Sequence, residues 1–189
     1  LNLSIPSGRL NGNIQSFQGF WIKANGPEVT TTVDESAKIY DPNGGALFGG
    51  DQQGNDALFR LTIATTANTF SDEAVVHFGV GSPELGTKDI VKFAFSHPNA
   101  PRIGTLTPQG EELILNAYGP TTEAITIPVK VFTPQAGSYS ILLHGAEGIT
   151  GVRCLVLEDL LTGTSTPLTE GASYVFSAEA SGTNDAPRF

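Results

Sequence analysis

Paired carboxylates, histidines and a cysteine are the residues of this chain best suited to chemistry. The carboxylates adjoin at Asp72/Glu73, Glu111/Glu112 and Glu158/Asp159. Glycoside hydrolysis needs two carboxyls facing one sugar across roughly 5 to 9 Å. Neighbours along a strand point to opposite faces, so none of these pairs is such a dyad by itself, and solvated surface charge is the expectation. With the turn that follows it, Glu158/Asp159 in particular is expected to be exposed. His77, His97 and His144 are far apart and lack metal-ligand spacing. Cys154 stands alone in the apolar setting "VRCLVLEDL" and is expected as a small buried core residue. No HExxH, G-x-S-x-G elbow or phosphate loop occurs. "GVGSPELG" (79–86) begins like a dinucleotide fingerprint but carries Glu84 where the third glycine falls.

Two stretches bear on binding instead. In "SFQGFWIKA" (16–24) both strand faces carry aromatics, and Trp21 is the single tryptophan of the chain. An exposed Trp21 would stack on a sugar ring, with Gln18 and Lys23 bonding its hydroxyls. The competing expectation, favoured by Phe20 and Ile22 on the opposite face, is a core anchor. In "DPNGGALFGGDQQGND" (41–56), Asp51, Asn55 and Asp56 offer oxygen ligands suited to Ca²⁺. That loop departs from the EF-hand order at Gln53 and Asp56, and Thr62 stands where the closing glutamate belongs. No other cofactor is expected.

Composition narrows the classes. With 10 basic against 19 acidic residues the net charge is −9. Nucleic acid and anionic lipid both call for a basic footprint, so neither is an expected partner. No stretch near twenty apolar residues occurs, so no membrane-spanning helix is expected. The chain opens on Leu1 and contains no Met, as an excised piece of a longer polypeptide would.

The elements that must position these residues read as strands. Runs at 28–33, 57–66, 73–80, 89–96, 112–118, 124–132, 138–144, 152–160 and 172–180 are rich in β-branched and aromatic residues and bounded by Gly, Pro, Asn or Asp. No sustained 3.6-residue period predicts a long helix. Phe59, Leu61 and Ile63 form the core face of the 57–66 run, and Ile125, Ile127, Val129 and Val131 that of 124–132. Pro128 interrupts the latter ladder and assigns it to an edge or a bulge. The 152–160 run is expected to be covered on both faces. "LEDLLTGTSTPL" reads as a hairpin turning at Thr162-Gly163, and Tyr139 is placed to pack its ring and bond its hydroxyl. The fold class is therefore all-β, a β-sandwich of jelly-roll or immunoglobulin-like type. A seam at Gly119-Pro120 suggests two packed lobes: a larger jelly-roll-like region over 1–119 and an immunoglobulin-like one over 120–189.

Several stretches, taken in order, resemble a β-rich module that precedes the C-terminal sorting domain in proteins of the bacterial type IX secretion system. They are "QGFWIKA" (18–24), "FRLTI" (59–63), "SDEAVVHF" (71–78) and "IPVKVFTPQAGSYSI" (127–141), then "LEDLLTGTSTPL" (157–168), "SYVFSAEA" (173–180) and "RF" (188–189). The resemblance departs at the end, where one more short apolar strand would follow "RF". It brings no catalytic residue. It implies a location outside the outer membrane, as part of a larger secreted or cell-surface protein. The expectation is thus a non-catalytic structural or adhesive module whose partners are the parent protein's other domains, a surface protein or a polysaccharide. The alternative is a carbohydrate-binding module using Trp21, Lys23 and Gln18.

Overall fold

A computed structural model describes residues 58–79, 81–93, 97–119, 123–146, 154–181 and 186–189, with Gly26, Thr30, Thr32 and Ser36. The chain divides after Gln53, and every strand described belongs to the unit Gly54–Phe189. The strand expected over 28–33 and the loop 41–56 lie outside the described residues, apart from Thr30 and Thr32.

The fold is all-β and sandwich-like, with no α-helix among the described residues. Its strands are β1 (Leu58–Thr65), β2 (Ser71–Phe78), β3 (Ile90–Val91), β4 (Arg102–Leu106), β5 (Glu112–Tyr118), β6 (Val129–Phe132), β7 (Gly137–His144), β8 (Leu155–Asp159), β9 (Thr164–Leu168) and β10 (Ser173–Ala178). One mixed sheet runs β10-β7-β1-β2-β5-β4-β6, with β3 attached to β5. Its pairings are antiparallel except β2 with β5. A separate hairpin joins β8 to β9. Strands from before Gly119 lie between strands from after it, because β1 pairs with β2 on one side and β7 on the other.

Period-two patterning explains the core. Phe59, Leu61 and Ile63 of β1 are buried, as are Ala74 and Val76 of β2 and Tyr139, Ile141 and Leu143 of β7. These side chains join Val129, Val131, Phe176 and Phe189 in one apolar cluster, which Leu157 and Leu168 of the hairpin also enter. Each fully buried aliphatic contributes on the order of 2 kcal/mol by leaving water. The buried Tyr139 donates its hydroxyl to the Gln135 carbonyl at 2.6 Å, the role expected of it.

The sheet curls until its two edges meet. The Ser181 N–H donates to the Thr133 carbonyl at 2.8 Å, just beyond β10 and β6 respectively. In return the Thr133 N–H donates to the Ser181 hydroxyl oxygen at 3.0 Å, and the Thr133 hydroxyl donates to the Glu179 carbonyl at 2.7 Å. Edge groups that would otherwise face water are thus partly paired.

Three strands differ from expectation. β6 starts only at Val129, because Pro128 has no N–H for the ladder; it lies at a sheet edge, as Pro128 implied. Of the 89–96 run, Ile90 and Val91 form the described ladder, with a register shift between them. β8 is covered on one face only: Leu157 and Asp159 are buried, whereas Val156 is 48% exposed.

Glycine spacing supplies a direct test. A methyl group on Gly81 would overlap the carbonyl of Ala117, which is backbone and cannot swing away. One on Gly104 would meet the Glu112 side chain at 2.6 Å, and that chain can rotate out. Gly81→Ala is expected to cost about 3 kcal/mol, and Gly104→Ala under about 1 kcal/mol. Paired urea titrations would check the order, and equal costs would contradict this packing.

Candidate functional site at the β8–β9 turn

Alternation along β8 sends Leu155, Leu157 and Asp159 to one side, so a carboxylate follows two leucines toward the core. Asp159 is 1% exposed. The four-residue turn after it is closed by the Gly163 N–H donating to the Asp159 carbonyl at 2.8 Å. Gly163 has φ +70°, a conformation that side-chain-bearing residues rarely adopt. The turn spans 160–163 and contains the Thr162-Gly163 pair at which the sequence placed it.

The Asp159 carboxylate is fully engaged. Arg188 donates Nη2–H to Oδ2 at 2.8 Å and Nε–H to Oδ1 at 3.1 Å, a two-pronged pairing. The Tyr174 hydroxyl donates to Oδ2 at 3.0 Å, and the Leu161 N–H donates to Oδ1 at 3.0 Å. Arg188 also donates Nη1–H to the Ser177 carbonyl at 2.9 Å. Its guanidinium lies 4.3 Å over the Phe176 ring. One buried charge thereby ties the hairpin turn, β10 and residues 186–189 together.

Burial alone pushes the Asp159 carboxyl up. The hydrogen bonds from Arg188, Tyr174 and the Leu161 N–H, with the Arg188 charge, outweigh it and hold the group below its ordinary 3.8. A carboxyl depressed in the folded state adds stability above the unfolded value, which is lost as pH falls through the folded one. Wild-type stability is therefore expected to drop from about pH 4 downward. Asp159→Asn should be weaker at pH 7 and close the gap to wild type in acid. Urea midpoints at pH 7, 4 and 3 check this; a gap independent of pH would contradict it.

The turn displays Leu160 at 63% and Leu161 at 74% exposure. They flank an open groove of about 1000 Å³, lined among others by Val131, Thr133, Ala136, Ala178 and Pro187.

The other chemistry-bearing residues are dispersed. Asp72 pairs with the nearly buried Lys92 at 2.6 Å and accepts the Ile103 N–H at 2.9 Å, fastening β2 to β4. Glu73 pairs with Arg60 at 2.6 Å across β1 and β2. Both of those side chains are more than a third exposed, which makes that pair worth little. Glu111 bonds the Thr107 hydroxyl, and Glu112 lies beside Gly104. His77 is half-buried in β2, His97 stacks on Phe70 at 4.3 Å, and His144 Nδ1 lies 3.4 Å from Glu170. Among the described residues no group of three or more His, Cys, Asp or Glu could hold a metal ion.

Two expectations are corrected. Cys154 is exposed, because the ladder begins one residue later and the core face starts at Leu155. Asp159 is buried, because its strand phase and its arginine draw it inward, while Glu158 alone stays in solvent. The sugar-binding candidates Gln18, Trp21 and Lys23 and the calcium candidates Asp51, Asn55 and Asp56 lie outside the described residues. Spacing could not have paired Asp159 with Arg188, 29 positions apart.

No known protein family, curated protein or solved structure matches this chain.

Proposed function

We propose that the chain is a non-catalytic structural or adhesive module of a larger secreted or cell-surface protein. The observation carrying this reading is the Asp159–Arg188 pair. Its buried carboxylate has its hydrogen-bonding capacity taken up in joining three chain segments. A catalytic acid or base must keep a lone pair or proton within reach of the reacting group. A carboxylate already holding four donors is suited to fastening the fold instead. The resemblance of "LEDLLTGTSTPL", "SYVFSAEA" and "RF" to secreted modules agrees with that role, since those three stretches meet at this site. The two leucines beside the groove suit contact with another protein surface.

Trp21 gives the test. In a structural module its fluorescence is blue and beyond the reach of iodide, and a glycan panel leaves it unchanged. Red, quenchable emission that shifts with one polysaccharide would replace this reading with that of a carbohydrate-binding module.

A further inference from the structure

We propose that the outer edge of β6, the Asp159 carboxylate and the Phe176 ring form a peptide-docking site that recognises an arginine followed by an aromatic residue, filled here by residues 186–189 of the same chain. Backbone pairing supplies the first half of the recognition. The Val129 N–H donates to the Phe189 carbonyl at 2.7 Å, and the Arg188 N–H donates to the Val129 carbonyl at 3.1 Å. On the other side the Leu160 N–H donates to the Arg188 carbonyl at 2.8 Å. A short segment therefore lies between the β6 edge and the β8–β9 turn, held by main-chain bonds that any sequence could make.

Side chains supply the second half. The pocket for residue 188 offers a buried carboxylate, the Ser177 carbonyl and an aromatic face. A guanidinium answers all three at once, because its plane stacks on the ring while its N–H groups diverge toward the two acceptors. An ammonium has no plane to stack and cannot span both acceptors in the same way. The pocket for residue 189 presents the rings of Phe176 and Tyr174, which the Phe189 ring meets edge-on at 5.2 and 5.8 Å. Main-chain bonds supply affinity at the sheet edge, and the two neighbouring side-chain pockets supply selectivity.

Every receptor group belongs to β6, β8, β10 or the turn, and none to the segment received. The site therefore keeps its chemistry when the segment is supplied by a second copy of this chain or by a separate peptide. Without an occupant, Asp159 would lose its cation and keep only the Tyr174 hydroxyl and the Leu161 N–H, which favours refilling.

A protease recognition sequence inserted between Thr183 and Asn184 of the full chain allows the folded protein to be cut. The released fragment is expected to stay with the protein through gel filtration. An excess of fluorescent peptide of residues 184–189 should then replace it, read as a rise in anisotropy. Peptides carrying Arg188→Lys or Phe189→Ala should compete at least about tenfold more weakly. The uncut chain should take up no label. Loss of the fragment on cutting, failure of the matched peptide to replace it, or replacement indifferent to the two side chains would each overturn the site.

Discussion

Arg188→Met is expected to lower stability by about 3 kcal/mol. Methionine keeps much of the apolar stem but removes the cation, so Asp159 is left buried with Tyr174 and the Leu161 N–H as its remaining partners. Breaking one side of a buried pair costs about 3 to 5 kcal/mol, since the orphaned charge still bears its desolvation penalty. The lower end applies because the Arg188 side chain keeps some contact with water. Replacing both partners removes the charge that needed compensation. The double variant Asp159→Leu/Arg188→Met is accordingly expected to lie closer to wild type than Arg188→Met alone. Urea denaturation with an unchanged slope measures both. A double variant as weak as the sum of the single ones would mean that the two residues act independently.

Ile141→Ala is expected to cost about 4 kcal/mol, near the upper part of the range for an aliphatic residue truncated in a core. Ile141 is fully buried at the middle of β7, paired with Ile63 of β1 on one side and Tyr174 of β10 on the other. Strands on both flanks are held in register, which leaves little room for the cavity to collapse. Val175 of β10 sits 65% exposed, and Val175→Ala should change stability by less than about 0.5 kcal/mol. Thermal unfolding of the two variants beside wild type gives the comparison. A small loss at Ile141 would place the apolar centre elsewhere.

Much of the β architecture was legible because period-two patterning is local. The inward face of β1, the burial of Val129 and Val131, the edge position of β6 and the turn containing Thr162-Gly163 follow from alternation, Pro128 and Gly163, whereas Ile125, expected on the same core face, is exposed ahead of β6. β4 is hardly legible in the sequence: "RIGTL" is short, opens on arginine and contains Gly104, so its β signal is weak even though Ile103 and Thr105 are fully buried. It pairs with the neighbouring β5, but its other partner, β6, is distant in sequence. The same limit explains Asp159. An acidic residue beside a turn reads as solvated, and what reverses that reading is an arginine 29 positions later. The signal present was phase, since Leu155, Leu157 and Asp159 fall on one side of β8. Cys154 is exposed for a related reason: its neighbours are apolar, but the inward phase of β8 starts at Leu155.

The claim that residues 186–189 close the fold is tested most directly by amide hydrogen exchange at Val129 and Leu160. The Val129 N–H reaches the Phe189 carbonyl and the Leu160 N–H reaches the Arg188 carbonyl, so both report on the closure itself. In the wild-type chain both amides should be protected to a degree approaching that of Ile141, and Arg188→Met should strip protection from these two while Ile141 keeps most of its own. Rapid exchange at Val129 and Leu160 in the wild-type chain, beside a protected Ile141, would contradict the closure and with it the role given to the buried pair.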